Sequence, residues 1–186
     1  MNIYIALLRG INVGGKNKIK MADLRESLTE SGLEHVRTYI QSGNVLFQSS
    51  ETEPKLNDLI EKKIEKDFGF PVPVILRTAD ELKAISRNCP FSKDEVEAAE
   101  TTSIGESLYV SVMSDKPSAE KADALKALDM GDDQYQIVGR DVYLLFHHSI
   151  RNARLSANIQ KLGAPSTVRN WKTLTKLVLL ADEMPE

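Results

Sequence analysis

The segment Arg9-Gly-Ile-Asn-Val-Gly-Gly-Lys-Asn-Lys18 places three cations and three glycines in ten residues. Glycines let backbone N–H groups come close to an anion, and Arg or Lys adds charge-assisted hydrogen bonds, so the chemistry on offer is phosphate or carboxylate binding. Gly10, Gly15 and Lys16 match the spacing G-x-x-x-x-G-K-[ST], but Asn17 stands where Ser or Thr would hold magnesium. The next helical pattern starts only near Met21, too late to aim its N-terminus into the loop. No Asp follows a parallel strand to serve a metal. These departures argue against a nucleoside triphosphatase. Two readings remain: an anion-binding loop, with Arg9, Asn12, Gly14, Gly15 and Lys16 as its residues, and a structural loop that needs glycine's backbone angles.

A second polar group is Tyr39-Ile-Gln-Ser-Gly-Asn-Val45. Gly43-Asn44 can take positive φ and close a hairpin unaided. The functional alternative is that Gln41, Ser42 and Asn44 present amide and hydroxyl groups to whatever the first loop holds. A third group is Thr167-Val-Arg-Asn-Trp-Lys-Thr173, where Asn170 suits a helix N-cap beside Arg169 and Lys172, an arrangement that also fits an anion. Trp171 shares a helical face with Leu174 and Val178, which favours a core role over a stacking platform.

Other chemistry is thinly supported. His147 and His148 are adjacent on an expected strand, so they face opposite ways and share no metal; His35 is expected to face solvent. Cys89 has no base or cation beside it and reads as inert. Arg9–Lys20 and Gln41–Asn44 contain no acidic residue, so they hold no carboxylate pair for acid–base work. We therefore expect no metal site, and no cofactor is specified.

The elements that must position these groups repeat an order. Ile3–Leu8 reads as a buried strand, 21–31 as a helix with Met21, Leu24 and Leu28 on one face, and Val36–Ile40 with Val45–Phe47 as a hairpin. Leu56, Leu59, Ile60 and Ile64 mark a helix closed by Gly69, and Val72–Leu76 a strand put at a sheet edge by Pro73. The order is βαββαβ, the ferredoxin-like pattern. Thr78-Ala-Asp-Glu81 is a capping box opening a helix to Arg87, and 88–106 reads as an acidic loop. The same order follows: strands at Leu108–Met113, Tyr135–Val138, Val142–His147 and Ser166–Arg169, helices at 118–128 and Leu155–Leu162, and a last helix from Trp171 to Ala181. No residue-level repeat accompanies it. We expect an α+β protein of two ferredoxin-like (α/β-plait) halves plus a C-terminal helix: 1–78 with the Gly-rich loop, 79–106 as linking helix and acidic loop, and 107–186 with the terminal helix. In such a plait the first two strands are parallel with the third between them. Arg9–Lys20 should therefore meet Gln41–Asn44 at one sheet edge.

The chain has 186 residues, one cysteine and a net charge of −3. Apolar residues at 41% and charged residues at 27% describe a globular protein and exclude low-complexity disorder. The apolar run Ile3–Leu8 is too short for a membrane span or leader, so the expectation is a cytoplasmic protein with no membrane partner. Charge is segregated: residues 1–50 carry +2, 51–136 carry −8 and 137–186 carry +3. That pattern fits either an anionic partner for the two ends or pairing of the ends with the acidic middle. RNA is disfavoured, because the third strand offers Asn44 and Leu46 where stacking aromatics are required.

The three motifs, R-G-I-N-V-G-G-K-N-K at 9–18, Y-I-Q-S-G-N-V at 39–45 and T-x-R-N-W-x-T-x-x-K-L at 167–177, resemble the uncharacterised prokaryotic family numbered 1697 among the domains of unknown function. Where that family typically carries a Lys-Leu-Thr-type segment, this chain has Arg154-Leu-Ser156. The resemblance implies an α/β plait and supplies no activity. The leading functional expectation is binding of a phosphorylated or otherwise anionic small molecule or nucleotide at the first βα loop. The alternatives are a metal-independent transferase or hydrolase using the same loop, and a protein-interaction module without a small ligand. The sequence specifies no oligomeric state.

Overall fold

A computed structural model describes residues 1–185. The first sheet is built from β1 (Asn2–Leu8), β2 (Glu34–Tyr39), β3 (Asn44–Ser49) and β4 (Val74–Thr78), in the order β2-β3-β1-β4 with every neighbouring pair antiparallel. β3 between two parallel strands is the ferredoxin-like order. Two helices complete this plait, α1 (Met21–Glu30) and α2 (Glu53–Phe68). α2 buries Leu56, Ile60 and Ile64 at a spacing of four, and Gly69 ends it at φ 84 with its N–H donating to the Glu65 carbonyl. Tyr4, Ala6 and Leu8 alternate into this core, with Tyr4 stacked on Phe47 at 5.7 Å.

The second sheet repeats the topology with β5 (Leu108–Met113), β6 (Gln134–Val138), β7 (Asp141–Leu145) and β8 (Ser166–Asn170), in the order β6-β7-β5-β8. Its helices are α5 (Ala119–Lys126) and α6 (Arg154–Asn158), the latter continued by a 3₁₀ turn over Ile159–Leu162. In chain order, α3 (Ala79–Arg87) and α4 (Lys93–Thr102) come after β4 and before β5, and α7 (Trp171–Asp182) follows β8. The expected two-plait α+β fold with a C-terminal helix is the fold observed. Among the described residues, no helix is long and apolar enough to cross a membrane.

The chain divides into two compact units. One is Met1–Ser86 with the C-terminal segment from Thr175, and the other is Arg87–Leu174. In the first, the sheet face opposite α1 and α2 is also buried, through Ile5, Leu7, Leu46 and Ile75. The C-terminal segment is tied to this unit: the Gln48 side chain donates to the Pro185 carbonyl, and Lys83 pairs with Asp182 at 2.6 Å.

Several local expectations change. Residues 88–106 are not a continuous loop, because α4 lies within them. Ser92 caps it, accepting from Glu95 N–H at 3.2 Å while Glu95 Oε2 accepts from Ser92 N–H at 2.7 Å. Only Ala99 of this helix is buried, so no apolar stripe marked it in the sequence. β4 begins at Val74, just beyond Pro73, which has no N–H to donate to a ladder. β7 stops at Leu145, leaving His147 and His148 beyond the strand against Gln134 and Asp132. α5 buries only Leu125; Ala122 is half-buried and Leu128 lies outside the helix. The capping box at Thr78 is present, with its Oγ accepting from Glu81 N–H at 3.2 Å.

Candidate functional site

The loop after β1 is a small hairpin. Asn12 N–H donates to the Asn17 carbonyl and Lys16 N–H to the Val13 carbonyl, both at 3.1 Å. Between them Gly14 and Gly15 take φ of 58 and 75, the two left-handed positions of a type I′ turn. Asn12 fastens the base of this hairpin. Its Nδ2 donates to the Ile19 carbonyl at 3.0 Å and the Gln41 carbonyl at 2.8 Å, and its Oδ1 accepts from Ile19 N–H at 2.9 Å. Asn17 Nδ2 donates to the Gly10 carbonyl at 3.2 Å. In a P-loop the glycines run directly into a helix. Here the hairpin intervenes and α1 starts at Met21.

The β2–β3 turn meets this loop, as the topology requires. Leu8 N–H donates to the Gly43 carbonyl at 2.9 Å, and the Asn12–Gln41 bond joins the two loops. The left-handed residues of the turn are Ile40 and Gly43, at φ 49 and 87, while Asn44 opens β3 instead of sharing the turn with Gly43. Gly43 is needed twice over: a Cβ there would stand 2.6 Å from Ile11 Cδ1 and 2.9 Å from Leu8 Cβ. Asn44 is fully buried and donates through Nδ2 to the Tyr39 carbonyl at 2.9 Å and to Ser42 Oγ at 3.1 Å. Ile40 is β-branched, exposed and left-handed, a strained position.

Where the loops meet, a cleft of about 620 Å³ opens. Lys18 and Lys20 border it, Ile19, Met21 and Phe68 form its apolar wall, and Asn12, Gly15 and Gln41 contribute polar edges. The N-terminus of α1 faces the same space, and its N-cap residue Lys20 makes no side-chain bond to the first-turn amides. Those amides and the positive end of the helix dipole favour an anion. Asp23, in the first turn, also lines the cleft and places one negative charge there.

Of the residues singled out in the sequence, Arg9, Asn12, Gly14, Gly15, Lys16, Gln41, Ser42 and Asn44 belong to the first unit. Asn12, Gly15 and Gln41 line the cleft, while Arg9, Gly14, Lys16 and Ser42 are exposed. Arg169, Asn170 and Lys172 belong to the second unit. Arg169 is buried on β8, where Nη1 donates to Thr167 Oγ1 at 2.7 Å, and loss of hydration pulls its guanidinium down to about 10. Asn170 Oδ1 caps α7 through Thr173 N–H at 2.8 Å. Lys172 pairs with Glu106 at 2.7 Å, which raises its pKa. Lys20, Met21 and Phe68 were not singled out. Lys20 ends the acid-free segment already noted, whereas Phe68, from the far end of α2, arrives only through tertiary packing.

Two antiparallel plaits with a basic hairpin beside an open cleft define a duplicated α/β-plait protein. The chain belongs to the family of proteins of unknown function DUF1697, whose model matches residues 1–143. The motif at 167–177 lies beyond that match. Among solved structures, the conserved bacterial protein SP0830 from Streptococcus pneumoniae is similar at 27% identity and a TM-score of 0.70, over 97% of this chain and 98% of that one. Comparison with curated proteins gives no match.

Proposed function

We propose that the chain binds an anionic small molecule, of the phosphorylated or nucleotide class, in the cleft beside the β1–α1 loop. One observation carries this reading. Lys18, Lys20 and the first turn of α1 line a cleft of about 620 Å³ together with Ile19, Met21 and Phe68, the two lysines outnumbering the one carboxylate, Asp23. An anionic group suits the lysines and the helix end, and an apolar body such as a base or acyl chain suits Met21 and Phe68. The N-terminus of α1 and the lysines supply charge without a metal, so binding needs no magnesium.

The test is a thermal-shift screen of the full chain against inorganic phosphate, sugar phosphates and nucleotides, with and without EDTA, followed by calorimetry on the best probe. Lys18→Ala with Lys20→Ala should weaken binding about tenfold or more while leaving the melting temperature of the unliganded chain near wild type. Binding unchanged in that variant, or lost on chelation, would overturn the reading.

A further inference from the structure

We propose that the groove between α5 and the edge strand β6 receives an extended acidic peptide segment, which joins the second sheet as a fifth strand beside β6. This site shares no residue with the anion cleft of the first unit and adds an open strand edge that the first cleft lacks.

β6 is hydrogen-bonded on one side only, to β7. The β6–β7 turn has two residues, Gly139 and Arg140, so Val138 and Asp141 close it as a hydrogen-bonded pair. Alternation then directs the N–H and C=O groups of Tyr135 and Ile137 away from β7, toward the open edge. The other edges carry protection that this one lacks. β2 has Glu34, His35 at φ 52 and Arg37 around a break in its register with β3. β4 and β8 are each entered from a proline, Pro73 and Pro165. β6 reads Gln-Tyr-Gln-Ile-Val, with no charge, proline or bulge. Such an edge is a template for strand addition.

Beside that edge lies a cleft of about 680 Å³. Pro117, Ala119, Ala122 and Ile137 give it an apolar floor, and Lys116 and Lys126 border it without any carboxylate among its lining residues. The small residues of α5 create the space, because that helix leans chiefly on the 3₁₀ turn at 159–162, whereas α1 of the first plait packs on β2. Lys116 lies three residues before α5 and Lys126 ends it, so the cations stand toward the two ends of a groove beside a helix about 12 Å long. Four extended residues, at about 3.3 Å each, span that length. A complementary segment carries acidic side chains toward both ends, on one strand face as positions four apart are, with small β-branched residues between them.

The probe is a fluorescein-labelled peptide Glu-Val-Thr-Val-Glu, blocked at its C-terminus, read by anisotropy against the full chain. A Lys-Val-Thr-Val-Lys peptide serves as control. Saturable binding of the acidic peptide alone is expected. It should weaken tenfold or more in Lys116→Glu with Lys126→Glu, and again in Ala122→Leu, which fills the groove from a half-buried helical position and so leaves folding intact. Amide exchange at Tyr135 and Ile137 should slow when peptide is bound. Equal binding of both peptides, or binding without protection of those two amides, would overturn the proposal. So would protection that grows with protein concentration in the absence of peptide, which would identify a second copy of the chain as the occupant.

Discussion

The two plaits share strand order and differ where their first helices begin. In the first, residues 9–20 separate β1 from α1 and fold into a pinned hairpin. In the second, only residues 114–118 separate β5 from α5, and Ser118 caps the helix directly by accepting from Lys121 N–H at 3.3 Å. The longer connection of the first plait accompanies a cleft at the loop end, bordered by Lys18 and Lys20, and the shorter one of the second a cleft beside α5. Topology sets which loops meet, while the loop after the first strand and the side chains of the first helix set what surface they make.

The largest expected effect lies at the two hairpin turns. Gly43→Ala should destabilise the chain by about 2–4 kcal/mol, because a left-handed φ is combined with a Cβ forced against Ile11 and Leu8. Gly139→Ala, at φ 61 with open space around it, should cost only about 1 kcal/mol. Urea denaturation of both variants measures the difference. Equal losses would mean that the first turn is not held by the β1–α1 loop.

Next in size is Asn12→Ala, which removes two donors and one acceptor from the base of the hairpin. A loss of about 1–3 kcal/mol is expected, with faster amide exchange at Ile19, whose N–H loses its acceptor. The second plait has no counterpart of this staple. An unchanged exchange rate at Ile19 would show the loop to be held by other contacts.

A smaller effect is pH-dependent. Hydrogen bonds from Lys63, then from Ser27, hold the Asp67 carboxylate below its usual 3.8. A group with a lowered folded pKa contributes stability that is complete above the unfolded value and is lost as pH falls through the folded one. The stability difference between wild type and Asp67→Asn should therefore be constant from about pH 6 to pH 5 and shrink as the pH drops below about 4. Urea midpoints across that range provide the check. A difference that persists in strong acid would contradict the assignment.

The strand order, both helices of the first plait and the meeting of Arg9–Lys20 with Gln41–Asn44 were legible in the sequence, because apolar alternation and helical spacing specify a plait and its handed order. Three features were not. α4 lacks an apolar stripe and shows itself only by the Ser92–Glu95 cap. The left-handed Ile40 violates the preference of β-branched residues, and only the surrounding loops hold it there. Phe68 reaches the cleft from the C-terminal end of α2, a position that no local pattern reveals. The glycines of the first loop suit an anion cradle or a structural turn by sequence; the hairpin uses Gly14 and Gly15 for the turn, and the cleft lies beside it.

The central claim is that similar plaits carry different surfaces, with the small-molecule anion cleft at the start of α1 and no counterpart of it at the start of α5. An amide-resolved NMR titration of the full chain with adenosine monophosphate tests it most directly. The account predicts saturable shifts at Gly15, Lys18, Lys20, Ala22 and Gln41, with one common affinity, and none at residues 116–126. Shifts of equal size and affinity at both helix starts, or no saturable shift around α1, would contradict it.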